Sequence, residues 1–217
     1  MPGRRLAREG IRSGREHQVR GVFSTGTGVF ARLHSRQYSG PVTVNVRRAG
    51  GADAAALAEL AEATFPLACP PGSTPEDIAD FIATHLNAQR FAEYLADPQR
   101  VILVAEEDNT LNGYTMLVLG EPSDTDVAAA VTLLPTVELS KVYVRAGSHG
   151  RGVAAPLIAA TIEAAAQTGA AGLWLGVNEQ NARAVRFYEK SGFRIVGAKT
   201  FQLGARVEND FVMERAL

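Results

Sequence analysis

The stretch Val142-Tyr-Val-Arg-Ala-Gly-Ser-His-Gly-Arg-Gly-Val-Ala154 decides how this chain is read. A β-branched run ends, a glycine-rich turn follows, and an alanine-rich helical segment begins. That order exposes backbone N–H groups at a helix N-terminus, where the first donors have no intrahelical partner. Together with the positive end of the helix dipole, they suit a phosphate. Gly147, Gly150 and Gly152 permit close approach and unusual backbone angles, and Arg145 and Arg151 can add charge. Pro156 lacks an N–H, but it falls in the first turns of a helix starting near Gly152, where that donor is not needed. Glycine turns between strand and helix also arise for structural reasons, so the turn alone does not establish a ligand.

Two common nucleotide loops are excluded or disfavoured. No Gly-Lys-Ser/Thr follows, so a Walker A loop is absent. Gly150-Arg-Gly-Val-Ala-Ala155 satisfies a loose dinucleotide pattern, but Leu175-Gly176 stands where a ribose-binding acid belongs. Too little chain remains to complete a doubly wound sheet.

Upstream of the turn, residues 136–145 read as a strand whose alternation changes phase. Apolar side chains sit at Val137 and Leu139, then at Val142 and Val144. One extra residue does this, so a β-bulge is expected near Ser140 or Lys141. Downstream, 151–168 read as helix, 172–177 as strand and 180–191 as helix, stopped at Gly192. Strands over 193–203 and 207–215, joined through Gly204-Ala205, close the chain.

Earlier segments complete the pattern. Residues 42–46 alternate as a strand, and 52–64 form an alanine-rich helix broken at Phe65-Pro66 and Cys69-Pro-Pro-Gly-Ser73. Thr74-Pro-Glu-Asp77 is a helix start with Thr as N-cap and Pro in the first turn. That helical pattern runs to about Leu95 with a break near Asn87. Residues 101–106 and 114–120 read as strands joined by a hairpin turn in 108–113, and 121–128 as acidic loop.

The chain has 217 residues and a net charge of −1, so its overall charge does not suggest nucleic acid. The charge is uneven. Residues 1–40 carry eight arginines against Glu9 and Glu16, a net of +6, which leaves −7 on the remainder. This Arg-, Gly- and Ser-rich segment, 1–41, reads as a poorly ordered extension. It also loosely resembles a mitochondrial presequence, and an early start assignment gives the same composition. A single folded domain is expected over 42–217. The lone Cys69 excludes an intrachain disulfide and fits a reducing compartment, hence a cytoplasmic expectation. No apolar run approaches a membrane span.

A second block, Asn178-Glu-Gln-Asn-Ala-Arg-Ala-Val-Arg-Phe-Tyr-Glu-Lys-Ser-Gly-Phe193, places Asn181, Ala184 and Tyr188 on one helix face. Small Ala184 leaves room for a ligand across that face, with the Tyr188 phenol pointing at it. The two blocks, in this order and spacing, resemble the GCN5-related N-acetyltransferase (GNAT) superfamily over about residues 42–217. The family signature R/Q-x-x-G-x-G/A falls on His149-Gly-Arg-Gly-Val-Ala154, with His149 where Arg or Gln is usual. Leu173-Trp-Leu-Gly-Val-Asn-Glu-Gln-Asn181, the run from Ala63 to Glu76, and Gly197-Ala-Lys-Thr-Phe201 with Gly204 and Asp210 are similar to the PaiA-type spermine/spermidine acetyltransferases.

The resemblance implies an α/β (α+β) fold with a central mixed, mostly antiparallel sheet, splayed between the fourth and fifth strands and covered by helices on both faces. It implies acetyl-CoA as co-substrate without a metal. Val142, Tyr143 and Val144 would pair with the pantetheine arm. The pyrophosphate would rest on His149, Gly150, Arg151, Gly152, Val153 and Ala154, and Asn181 would hydrogen-bond the arm. Glu138 is the candidate base and Tyr188 the candidate acid toward the thiolate. The acceptor would be a small primary amine, with polyamines as one class, drawn by Glu76, Asp77, Asp80, Glu93 and Asp97. No nucleic-acid or membrane partner is implied, and a homodimer stays open. Acetylation of protein N-termini or lysines, and non-catalytic acyl-CoA binding, are the competing readings.

Overall fold

A computed structural model describes residues 44–69, 72–148, 152–203 and 206–217. The expected extension over 1–41 lies outside the described residues, as do His149, Gly150, Arg151 and the Gly204-Ala205 turn. Among the described residues, seven strands form one sheet in the order β1-β2-β3-β4-β5-β7-β6. These are β1 (Asn45–Arg48), β2 (Arg100–Glu107), β3 (Thr110–Leu119), β4 (Thr136–Val144), β5 (Gly172–Asn178), β6 (Arg194–Leu203) and β7 (Arg206–Ala216). All neighbours run antiparallel except β4 and β5, which are parallel. The mixed, mostly antiparallel sheet expected from the sequence is the one observed.

The helices are α1 (Ala54–Ala68), α2 (Pro75–His85), α3 (Ala88–Ala96), α4 (Thr125–Ala130), α5 (Ala154–Ala166) and α6 (Ala182–Lys190). One sheet face packs on α1 and α3 through Leu57, Leu60, Phe65, Phe91 and Tyr114. The opposite face packs on α5 and α6 through Leu139, Val142, Ile158, Ala184 and Tyr188. No described helix is long and apolar enough to cross a membrane.

Local chemistry sets most boundaries. Thr74 accepts from Asp77 N at 3.1 Å and caps α2, with Pro75 opening the helix. Asn87 accepts from Arg90 N at 2.9 Å, so the expected break is the N-cap of α3. Asp108 and Asn109, both at positive φ, form the two-residue turn joining β2 to β3. Gly192 at φ +87 ends α6.

Three expectations need correction. Helix α1 does not stop at Thr64 but continues through Pro66 to Ala68. Burial of Phe65 and Ala68 holds this last turn despite the lost proline donor. The acidic segment after Glu121 is not all loop, because Asp124 accepts from Asp126 N and Val127 N and starts α4, which buries Val127. Strand β1 runs on to Arg48 rather than ending at Val46, and the expected start at Val42 lies outside the described residues.

Candidate active site

The expected bulge is present. Met116 pairs with Lys141 and Leu117 with Leu139, so Ser140 is the extra residue in β4. Beyond it the strand switches phase, which keeps Val142 and Val144 on the apolar face of α5. The splay expected between the fourth and fifth strands is also present. β4 and β5 pair only at Thr136–Gly172, Val137–Leu173 and Glu138–Trp174. From Leu139 to Val144, β4 has no pairing with β5.

Glu138 stands at the fork, 4 % exposed, in the last pair before the strands part. Register places Glu138, Lys141 and Tyr143 on the sheet face of α1 and α3, because they oppose Val118, Met116 and Tyr114. The Tyr143 ring stacks on Tyr114 at 5.3 Å, and the Lys141 ammonium lies 5.7 Å from the Tyr94 ring centroid. So Tyr143 contributes its side chain to the core and leaves its backbone along the gap.

Tyr188 comes from the other face on α6. Its ring packs edge-on to Phe187 at 5.5 Å and Phe193 at 5.8 Å. Its hydroxyl is buried with no hydrogen-bond partner among the described residues. Burial pushes the phenol well above its ordinary pKa, and the nearby Tyr143 phenol pushes it further. The group is therefore a neutral hydroxyl across the physiological range. Tyr114 also buries an unpartnered hydroxyl, but within the aromatic core under α1 and α3. An orphaned phenol alone thus does not mark the site.

The glycine turn leads from β4 through a short 3-10 turn, Ala146–Ser148, into α5. Gly152 adopts φ +83, which only glycine takes without strain. Helix α5 starts at Ala154 rather than Arg151, so Pro156 is its third residue, and the first backbone bond runs from Leu157 N to Val153 O at 3.3 Å. Val153 and Ala154 thus stand at the N-terminal end of α5. Arg145 is committed elsewhere: its side chain donates to Leu111 O at 3.0 Å.

Asn181 has a structural task that its sequence context did not show. It is the N-cap of α6, accepting from Ala184 N at 3.0 Å. Two of the five helical acids expected to rim the acceptor site are paired locally. Glu93 meets Arg90 at 2.6 Å, and Asp97 meets Arg100 at 3.0 Å.

Asn178, Lys199 and Asp210, which lie in the PaiA-like segments of the sequence, come together in a polar cluster on the strands beyond the fork, a grouping that the sequence does not show. Asn178, Asp210 and Lys199 oppose one another across β5, β7 and β6 and form one row on the face of Glu138. All are at most 5 % exposed, as is Glu208 two residues along β7. Charged residues alternate with Phe211 and Met213 in β7, a pattern that reads as a strand with a solvated face. Only the tertiary structure shows that the charged face is covered.

The comparisons with known proteins agree with this architecture. The family described as Acetyltransferase (GNAT) family matches residues 55–193. An uncharacterized N-acetyltransferase of Mycobacterium tuberculosis is 50% identical over 165 residues, covering 76% of this chain and 98% of that protein. One from Lactobacillus delbrueckii is 28% identical, covering 67% and 81%. Among solved structures, the PaiA N-acetyltransferase of Thermoplasma acidophilum, in complex with coenzyme A, superposes with a TM-score of 0.64 at 20% identity, covering 81% of this chain and 99% of that one. The acetyl-CoA-bound yncA structure from Salmonella typhimurium gives 0.54 at 24% identity, covering 81% and 94%. With the bulged β4, the fork at Glu138 and the glycine turn in this order, the chain belongs to the acetyltransferase (GNAT) family and is an N-acetyltransferase.

Proposed function

We propose that the chain moves the acetyl group of acetyl-CoA to a primary amine of a small molecule by direct attack in a ternary complex. The observation that carries this reading is the gap itself. Past Glu138, the β5 side of β4 is left without a strand, and the buried Tyr188 hydroxyl comes from the α6 face. A pantetheine arm has amides that can pair with Val142–Val144 as a strand would. The donors of Gly152, Val153 and Ala154, with those of the preceding turn, suit the pyrophosphate. Solved neighbours of the same fold hold coenzyme A or acetyl-CoA, which supports the assignment.

In this reading Glu138, directly or through water, takes the proton that the ammonium must lose, since an aliphatic amine has a pKa near about 10. The free amine forms the new N–C bond at the thioester carbon. The carbonyl oxygen is steadied by a β4 backbone N–H, for which Val144 is the candidate. As the C–S bond breaks, the sulfur keeps the electron pair and takes a proton from Tyr188, and the second proton of the attacking nitrogen, shed as the amide forms, restores the phenol by way of water. The products are an N-acetyl amine and the CoA thiol. Asn181, while capping α6, orients the pantetheine arm.

A polyamine is one acceptor of this class, supported by the PaiA-type likeness. The single thiol fits a reducing compartment such as the cytoplasm. The test is thiol release from acetyl-CoA with spermidine, simple amines, amino acids and lysine peptides. Release with small amines and not with peptides is expected. Stabilisation by CoA without turnover on any amine would replace this reading with a binding role.

A further inference from the structure

The reading above leaves the kind of amine open, and the buried row beyond the fork bears on it. Gly176 in β5 lies between Trp174 and Asn178 on the face of Glu138. A Cβ there would stand 2.6 Å from Lys199 Cε, 3.4 Å from Lys199 Nζ and 3.6 Å from Asp210 Oδ2. The glycine thus makes room for the lysine to reach across β7 to β5, and ammonium and carboxylate converge over one backbone position. The Lys199 ammonium also lies 5.8 Å from the Trp174 ring centroid.

Two donors beside this cation are buried without a partner among the described residues. One is Asn178 Nδ2, whose companion Oδ1 already accepts from Gln180 N at 3.0 Å. The other is Trp174 Nε1. A buried donor without an acceptor destabilises the fold, so folded chains retain few of them. Glu214, further down β7, is a buried carboxylate held by the fold. It accepts from Thr132 N at 2.9 Å, Thr132 Oγ1 at 2.6 Å and Arg194 at 2.9 Å.

The face past the fork therefore offers both signs. Glu138, Glu208 and Asp210 suit an ammonium, while Asn178 Nδ2 and Trp174 Nε1 call for a hydrogen-bond acceptor and Lys199 adds positive charge beside them. A protonated polyamine has only donors and would leave the second set unmet. We infer, resting on the acetyl-transfer reading, that the acceptor substrate carries a carbonyl or carboxylate close to its primary amine. Amino acids and their amides belong to this class. The amine is held toward Glu138, and the oxygen is held by Lys199 with Asn178 and Trp174.

The test compares kcat/KM for matched acceptors on the intact chain: alaninamide and alanine against isopropylamine, with putrescine and spermidine alongside. The oxygen-bearing acceptor is expected to exceed its alkylamine match and both polyamines by about tenfold or more, chiefly through KM. That ratio is expected to fall toward one in Lys199→Met. Because this variant leaves Asp210 without its neighbour, its fold is checked by acetyl-CoA stabilisation. Gly176→Ala, which displaces the lysine and removes no charge, is expected to lower the ratio as well. Equal or better turnover of spermidine or isopropylamine overturns the inference and leaves acetyl transfer standing. Unchanged ratios in both folded variants overturn it too. No turnover with any amine overturns both readings together.

Discussion

One sheet face carries two interiors. On the β2–β4 side, under α1 and α3, Phe65, Phe91, Tyr94, Tyr114 and Tyr143 pack ring against ring. On the β5–β7–β6 side, Asn178, Lys199, Glu208, Asp210 and Glu214 are just as deeply buried. Glu138 and Trp174 pair at the seam. The aromatic half follows the ordinary logic of burial, in which area removed from water stabilises the fold. The charged half works against it, since a buried charge is costly unless it is fully paired. Within that half Glu214 is satisfied by three donors and serves the fold, whereas the row at Gly176 holds unmatched donors and serves a ligand. Departures from good packing logic mark where function is kept.

The largest expected effect breaks the aromatic half. Phe91→Ala is expected to lower unfolding stability by about 3–5 kcal/mol in urea titration and to leave acceptor ranking unchanged in the fraction that folds. Glu138→Gln is expected to cut kcat by about a hundredfold or more and to abolish the acid limb of the pH–rate profile. An acid limb that persists unshifted assigns the base to another group. Glu214 sharpens the contrast between fold and function. Burial alone would push its carboxyl up, but the Thr132 and Arg194 hydrogen bonds hold it below its ordinary value. A depressed carboxylate stabilises the fold above the ordinary carboxylate range, and this is lost as pH falls through its lowered pKa. Glu214→Gln is therefore expected to cost about 1–3 kcal/mol at neutral pH and to flatten the acid-side decline in Tm, with acceptor preference unchanged.

The smallest effect separates the two tasks of Asn181. Asn181→Ala is expected to cost about 1 kcal/mol through the lost cap and to raise the acetyl-CoA KM. Asn181→Ser restores the cap and is expected to keep the raised KM. If serine restores KM too, the residue acts only as a cap.

Much of the donor side was legible in the sequence, because it depends on local pattern. The phase change at Ser140 is a one-dimensional signal of the bulge. The glycines, Pro156 and the spacing of Asn181, Ala184 and Tyr188 are set within single elements. Helix ends were less legible where burial overrode a local breaker, as at Pro66. The acceptor side was not legible, because it is made by cross-strand register. Nothing near Lys199 in sequence points to Gly176 or Trp174, and the alternating charges of β7 look like a wet face until α4 and its neighbouring strands are placed. The acids of α2 and α3 were the visible candidates, and two of them turned out to be paired within their own turns.

The account rests on Tyr188 facing the chemistry in the gap rather than merely filling the core. Steady-state kinetics of Tyr188→Phe test this directly, since the change removes one oxygen and keeps the ring contacts with Phe187 and Phe193. A loss in kcat of about tenfold to a hundredfold, with acetyl-CoA KM within about twofold, is predicted. An unchanged kcat in the folded variant would contradict it.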